Sequence, residues 1–436
     1  MSLPAPRVST KVVLLLSLWF STGALAQSAP TEPPASPPAP PDASVTSEPA
    51  PESKPPPPPA PSSGITVTAS PGKGFTIATE DGKFSSTLRA RFQMRETVTG
   101  QEVEDAPRRW TQEQQVRSVR FFLVGHVLSP DIKYTLQLAF GGNDFEAGSS
   151  SPLFDAWVEY TALRDLNVRV GQFFVPFDRA RTIRESGLQF VDRPLVIGEL
   201  TLDRDMGVML SSLDLFGKGG LLSYNLGFFG GEGRNKFGSS TPGLLYTARF
   251  AVRPFGGFDD DVEGDLQRLP KPRLMVGVAG AYNQKTNRQR STTGTTFTLG
   301  TFDYVHADVD AVFKYHGLSV LAEFLYRKGS PSFREGTVNG QPVREWSRSG
   351  WGYVVQAGYM LSGKLEATGR FDLQQVRSDS DPALIAQVAQ QGRELGAGLN
   401  AYLNGHAFKV QGDYAYQFGR TGPDRHLVRL QLDTTF

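Results

Sequence analysis

Arg89, Arg91 and Arg95 are spaced two and four positions apart, so in an extended chain their side chains leave the same face. A guanidinium is planar, stays charged and can hold two oxygens of a phosphate or carboxylate at once, which makes such a row a candidate path for oxyanions. No carboxylate alternates with these three. Arg120, Lys133 and Arg169 fall on the corresponding face of later segments. A second group, Arg179, Arg181, Arg184 and Arg193, is concentrated in residues 175–204 together with Asp178, Glu185, Asp192 and Glu199. Two readings stand for that group: contact with passing anions, or pairing with the carboxylates of the same stretch to hold its shape.

Enzymatic chemistry has no comparable footing. His126, His306, His316, His406 and His426 are scattered, and no His-Glu-x-x-His, Gly-x-Ser-x-Gly or Gly-Lys-Ser/Thr motif occurs. Without cysteine there is neither a disulfide framework nor a thiolate metal site, and no cofactor is expected. Asp259, Asp260 and Asp261 with Glu263 and Asp265 read as a solvated acidic turn or as a collector of a divalent cation. A net charge of +1 gives no support for a nucleic-acid partner.

The elements that must position these residues are strands. In GLNAYLNGHAFKVQGDYAYQ (398–417), Leu399, Ala401 and Leu403 share one face and Asn400 and Tyr402 the other; after Asn404-Gly405, Phe408, Val410 and Tyr414 alternate with Lys409, Gln411 and Asp413. Period-two alternation around Asn-Gly predicts a hairpin with a two-residue type I′ turn. Sixteen such segments run from KFSSTLRARFQMR (83–95) to LVRLQLDTTF (427–436), each near the roughly 10 residues of a membrane-crossing strand. Short turns such as His316-Gly317 alternate with long polar loops, including 100–114, 175–204, 284–301, 329–350 and 375–393. The connection at 255–272 breaks that rule by being long on the short-turn side.

One face of these strands carries Leu88, Phe121, Val158, Val170, Phe250, Val309, Phe324 and Leu432 and no Lys, Arg, Asp or Glu. A soluble sandwich would also alternate, but aromatic residues near the strand ends suit the interfacial belts of a membrane barrel. The expected fold is all-β: a sixteen-stranded antiparallel transmembrane barrel over 74–436, its apolar face on outer-membrane lipid and its charged face on channel water.

At the N-terminus, Arg7 and Lys11 precede about nine apolar residues and then Ala24-Leu25-Ala26, the pattern of a signal peptide over 1–26; a spanning helix would need ~20. Residues 27–73 read as a disordered tether, with about half of the chain's 31 prolines in 28–63. It is either a spacer or a contact to the cell wall.

GQFFVPFDRARTIRESGLQFVDRPLV (171–196), followed by RDMGV (204–208), resembles the phosphate-selective porin O and P family of Gram-negative bacteria. The likeness extends through FFLVGHVLSPDIKYTLQLAF, LFDAWVEY and WGYVVQAGYML and covers residues 74–436. It implies a homotrimeric porin whose third external loop, here 175–204, folds inward as the constriction, with arginines guiding anions such as phosphate. The C-terminal Phe436 resembles the signal read by the barrel assembly machinery. Three functions follow as expectations: an anion-preferring porin, a general diffusion porin, or a structural barrel anchoring the proline-rich segment.

Overall fold

The computed structural model describes residues 64–103, 106–145, 151–236 and 243–436. The expected signal peptide and residues 27–63 of the proline-rich tether lie outside them.

Twenty strands form in chain order. β1 (Ile65–Ser70) and β2 (Gly74–Thr79) make a hairpin, followed by β3 (Ser85–Val103), β4 (Ala106–Val127), β5 (Ser129–Ala139), β6 (Leu153–Tyr160), β7 (Asn167–Phe174), β8 (Arg204–Ser212), β9 (Leu222–Phe229) and β10 (Leu245–Val252). Next are β11 (Arg273–Thr286), β12 (Phe302–Tyr315), β13 (Leu318–Ser330), the small hairpin β14 (Phe333–Val338) and β15 (Gln341–Trp346), then β16 (Gly350–Met360), β17 (Leu365–Val376), β18 (Arg393–His406), β19 (Phe408–Phe418) and β20 (Arg425–Thr435). β3–β13 and β16–β20 pair antiparallel with their neighbours. β20 closes on β3 from Arg425 opposite Gln101 to Thr435 opposite Arg91, giving the expected sixteen-stranded barrel. Closure leaves no unpaired edge among the sixteen, the condition for crossing hydrocarbon with strands.

The alternation resolves as predicted. Leu88, Phe121, Val158, Val170, Phe250, Val309, Phe324 and Leu430 are exposed on the outside, while Arg91, Asp308, Glu323, Arg370 and Asp413 are buried inside.

Four local expectations change. Ile65–Ser70, assigned to the tether, is β1, because Ile65, Val67 and Ala69 alternate with Thr66, Thr68 and Ser70 and pair with β2. The loop expected at 100–114 is largely strand: β3 and β4 stay paired out to Gln101 opposite Arg109, and Trp110 lies beside Gly100, where a Cβ would sit 2.8 Å from its ring. The expected loop at 375–393 contains a helix, Pro382–Gln391, whose N-terminus is capped by Asp381 accepting from Ala383 N–H at 2.9 Å. The turn at Asn404-Gly405 is not type I′. Only Gly405 is left-handed (φ +52°), Ala407 N–H donates to Asn404 O at 3.0 Å, and the register slips between Tyr402 and Asn404. Both central residues are left-handed at His316 (φ +49°) and Gly317 (φ +89°) between β12 and β13, and at Asn339 (φ +49°) and Gly340 (φ +79°) between β14 and β15.

Candidate pore constriction

β7 ends at Phe174, and Pro176, which lacks an N–H, cannot continue the ladder. Residues 175–203 then cross the lumen and return at β8. The entry is shaped by Asp178, which accepts from Arg181 N–H at 2.7 Å at the start of a short helical turn, α1 (Arg179–Thr182), and from the Thr201 hydroxyl on the returning limb. Phe177, Ile183, Phe190, Val196, Ile197 and Leu202 are buried, and this stretch forms one core with the inward-facing Met209, Val312, Leu321, Leu325 and Val354 of the barrel. Each fully buried side chain of this size contributes on the order of 2 kcal/mol, so apolar packing is one of the forces that hold the segment inside the barrel.

Polar contacts fix its position on the far wall. Arg179 and Ala180 N–H donate to the Glu323 carboxylate (2.5 and 3.0 Å), Val191 N–H to Asp413 (2.9 Å), and Gln189 Nε2 to Glu366 (2.6 Å). Lys409 Nζ donates to Leu188 O at 2.8 Å. A second inserted segment, residues 255–272, meets it from the side of the short turns. Glu263 N–H donates to Gly187 O (3.0 Å), the Glu263 carboxylate accepts from Gln189 N–H (2.6 Å) and Gln356 Nε2 (2.7 Å), and Arg179 reaches Asp260 O and Asp261 (2.8 Å). Asp265 accepts from Gly317 N–H at 2.7 Å. Within the acidic run Asp260, Glu263 and Asp265 are buried and brace the loop, while Asp259 and Asp261 stay exposed as a solvated turn would have them. Among the described residues no group of three or more His, Asp or Glu could hold a metal ion.

The arginines sort by their partners. Arg91 makes a two-pronged pair with Asp433 (2.9 and 2.6 Å) and reaches Glu185 at 3.4 Å; Arg95 pairs with Asp192 at 2.9 Å and donates to Val191 O. Arg120 bridges Asp144 and Glu185, both at 2.9 Å, over the Phe154 ring. Arg169 pairs with Glu159 at 3.0 Å and stacks on Trp157, and Lys133, exposed, stands opposite Glu159 in the ladder. In the loop, Arg181 pairs with Asp203 at 2.6 Å, Arg193 donates to Ala180 O and Ile183 O, and Arg184 is exposed. The loop carboxylates mainly serve the wall: Glu185 on Arg91 and Arg120, Asp192 on Arg95 and Arg429, Glu199 on Arg327 and Arg348. Among the described residues, Arg89, Arg117, Arg184 and Arg193 make no ion pair.

Arg117 is the residue that sequence periodicity missed. Counted in steps of two it shares the face of Val119 and Phe121, which is the lipid face. A β-bulge places Met94 opposite Val116 but Gln93 opposite Ser118, so Arg117 is the extra residue and turns inward. The signal was an arginine on an otherwise uncharged face.

Arg95, Arg117, Arg181, Arg193 and Arg290 line a cavity of about 360 Å³ together with Glu185, Asp192 and Asp203. Burial works against the Glu185 charge, but Arg120 and Arg91 outweigh it and hold its carboxyl well below the usual range. Asp192 is lowered against the same burial by Arg95 and Arg429. Burial, reinforced by the neighbouring Arg181, pushes Arg193 down to about 10, so it remains charged at neutral pH. The cavity thus holds five cations against three anions.

Residues 89–421 match the family model for phosphate-selective porin O and P. Among solved structures the chain is similar to Salmonella typhi OmpF in complex with daunomycin, at 13% identity and a TM-score of 0.51, covering 80% of this chain and 98% of that one. The outer-membrane channel DcaP of Acinetobacter baumannii aligns at 14% identity and a TM-score of 0.49, covering 84% and 100%. No curated protein matches the sequence. The structural likeness speaks for the barrel alone; the family match runs from the inward face of β3 to the connection before β20, and on it the chain belongs to the phosphate-selective porin O and P family and is an integral outer-membrane β-barrel.

Proposed function

We propose that this porin passes small hydrophilic solutes by diffusion and that its constriction prefers small anions, phosphate and related oxyanions among them. The observation that carries the preference is Arg117, which lines the constriction cavity and makes no ion pair there, beside Arg193, whose guanidinium is held only by backbone carbonyls. In a cavity walled by protein such charge is weakly screened and raises the local anion concentration. Neutralisation of Arg91, Arg120 and Arg169 by carboxylates favours the second reading, a general diffusion porin in which the remaining excess is too small to select. Reversal potentials in KCl gradients across planar bilayers separate the two: anion preference gives a potential of chloride sign, and phosphate added to one side lowers the chloride current if oxyanions bind. A zero potential together with no phosphate block leaves the general porin, and folded protein without conductance overturns both.

The homotrimer, export by residues 1–26 and recognition of Phe436 during assembly belong to the same proposal. Phe436, stacked on Phe92 with ring centroids 5.5 Å apart, is exposed as such recognition requires.

A further inference from the structure

The β1–β2 hairpin lies outside the closed barrel, yet its faces are set by the barrel's register. β2 pairs with the start of β3, Phe75 opposite Leu88 and Ile77 opposite Ser86, and so continues below the chain end of β20, where Phe436 bonds to Ala90. Directly opposed residues in an antiparallel ladder share a face. Leu88 is on the lipid-facing side, so Phe75 and Ile77 are too, and through them Ala69, Val67 and Ile65 of β1. The opposite face carries Thr66, Thr68, Ser70 and Thr76, and the Thr76 and Thr87 hydroxyls meet at 2.8 Å.

Ile65, Val67, Phe75, Ile77, Phe84 and Leu88 are each between 37% and 66% exposed, and no charged residue interrupts them. Charge is confined to the turns, with Lys73 between β1 and β2 and Glu80, Asp81 and Lys83 before β3. A contiguous apolar patch of this kind in water marks a surface that something covers. We propose that the β1–β2 hairpin is a membrane-surface element whose apolar face seats on phospholipid of the periplasmic leaflet, continuing the lipid-facing band of the barrel below its rim. Two observations determine the occupant and its depth. The patch is continuous in register with the lipid-facing face at Leu88. Among the described residues β1 pairs only with β2, and an open strand edge is not tolerated in hydrocarbon. The hairpin therefore belongs in the headgroup and upper-chain layer, a few ångströms deep on each side of the bilayer, where water and lipid headgroups satisfy that edge.

The chain contains no cysteine, so single cysteines report without background. Val67→Cys and Ile77→Cys on the apolar face and Thr68→Cys on the opposite face, each labelled with bimane in the full chain, are reconstituted in phosphatidylethanolamine–phosphatidylglycerol vesicles. Nitroxide lipids then quench from the headgroup, from a shallow chain position or from the bilayer centre. Shallow quenching at Val67 and Ile77 that exceeds quenching at Thr68 several-fold is expected. Equal quenching at the three sites overturns the proposal. So does a Val67 signal that changes when labelled protein is diluted with unlabelled protein, since that identifies a second copy as the cover. Heat-dependent gel mobility verifies barrel closure in each variant, and Phe75→Cys, nearest the rim, repeats the measurement should either of the first two fail to fold.

Discussion

The two sides of the lumen use the same residue types for different ends. Along β13 and β16–β20, inward charges such as Glu323, Glu366, Lys409 and Asp413 are almost fully buried and hold residues 175–203 through backbone groups and the Gln189 amide. Along β3 and β4, the same loop reaches Arg91, Arg95 and Arg120 but leaves Arg89 and Arg117 without an ion pair. An arginine on one side is a fastening and on the other a source of field. Lumen charge counts are therefore a poor guide to selectivity, because a guanidinium paired at 2.6 Å to a buried carboxylate presents little net charge to a passing ion.

The largest test removes a fastening. Asp413→Ala leaves the buried Arg429 with Asp192 as its remaining carboxylate and Val191 N–H without its acceptor, and is expected to cost roughly 1–3 kcal/mol of barrel stability. Guanidinium unfolding measures the loss, and single-channel records should show a larger, noisier conductance as the loop loosens. Next is Arg117→Ala, which breaks no ion pair: stability should move by less than about 1 kcal/mol while the KCl reversal potential shifts toward zero. The paired counterpart, Arg91→Gln, should do the reverse, lowering stability more and shifting the potential less. Equal effects at the two sites would dissolve the distinction between the walls.

A smaller effect is expected from acid. The Glu185 and Asp192 carboxyls are depressed in the folded protein, so their contribution is present above the unfolded carboxylate pKa and is lost only as pH falls through the lower folded values. Conductance noise should stay constant from pH ~7 down to the ordinary carboxylate range near ~4.3 and rise only below it. A rise already at pH ~6 would mean that these pairs do not hold the loop. The smallest effect on ion preference is expected at the short turn between β18 and β19: Gly405→Ala, at φ +52°, should cost about 1 kcal/mol by thermal unfolding and leave the preference unchanged.

Much of the barrel was legible because alternation is local. The residues between Leu399 and Asp413 announce two faces from their own spacing, and the assigned faces hold: Leu399 is exposed outside and Asn400 and Gln411 are buried inside. The hairpin turn was misread because a one-residue register slip moved the turn onto Gly405 and His406. The candidate site was legible only in part. The inward fold of 175–204 came from resemblance, whereas the insertion of 255–272 had no signal beyond its unusual length. Lys409, which the ladder sets beside Asp433 while Arg429 takes Asp413, turned out to hold a loop carbonyl.

By itself the sequence determined the strands, their two faces, the uncharged band that meets lipid and the concentration of arginine near one loop. These follow from the period of two that the extended backbone imposes on every residue in order. Tertiary structure decided which arginines are free. Arg91 finds its carboxylate 342 positions away, and Arg117 turns inward because one extra residue is accommodated against a neighbouring strand. Pairing across a lumen depends on which strands closure brings face to face, and no local pattern contains that information.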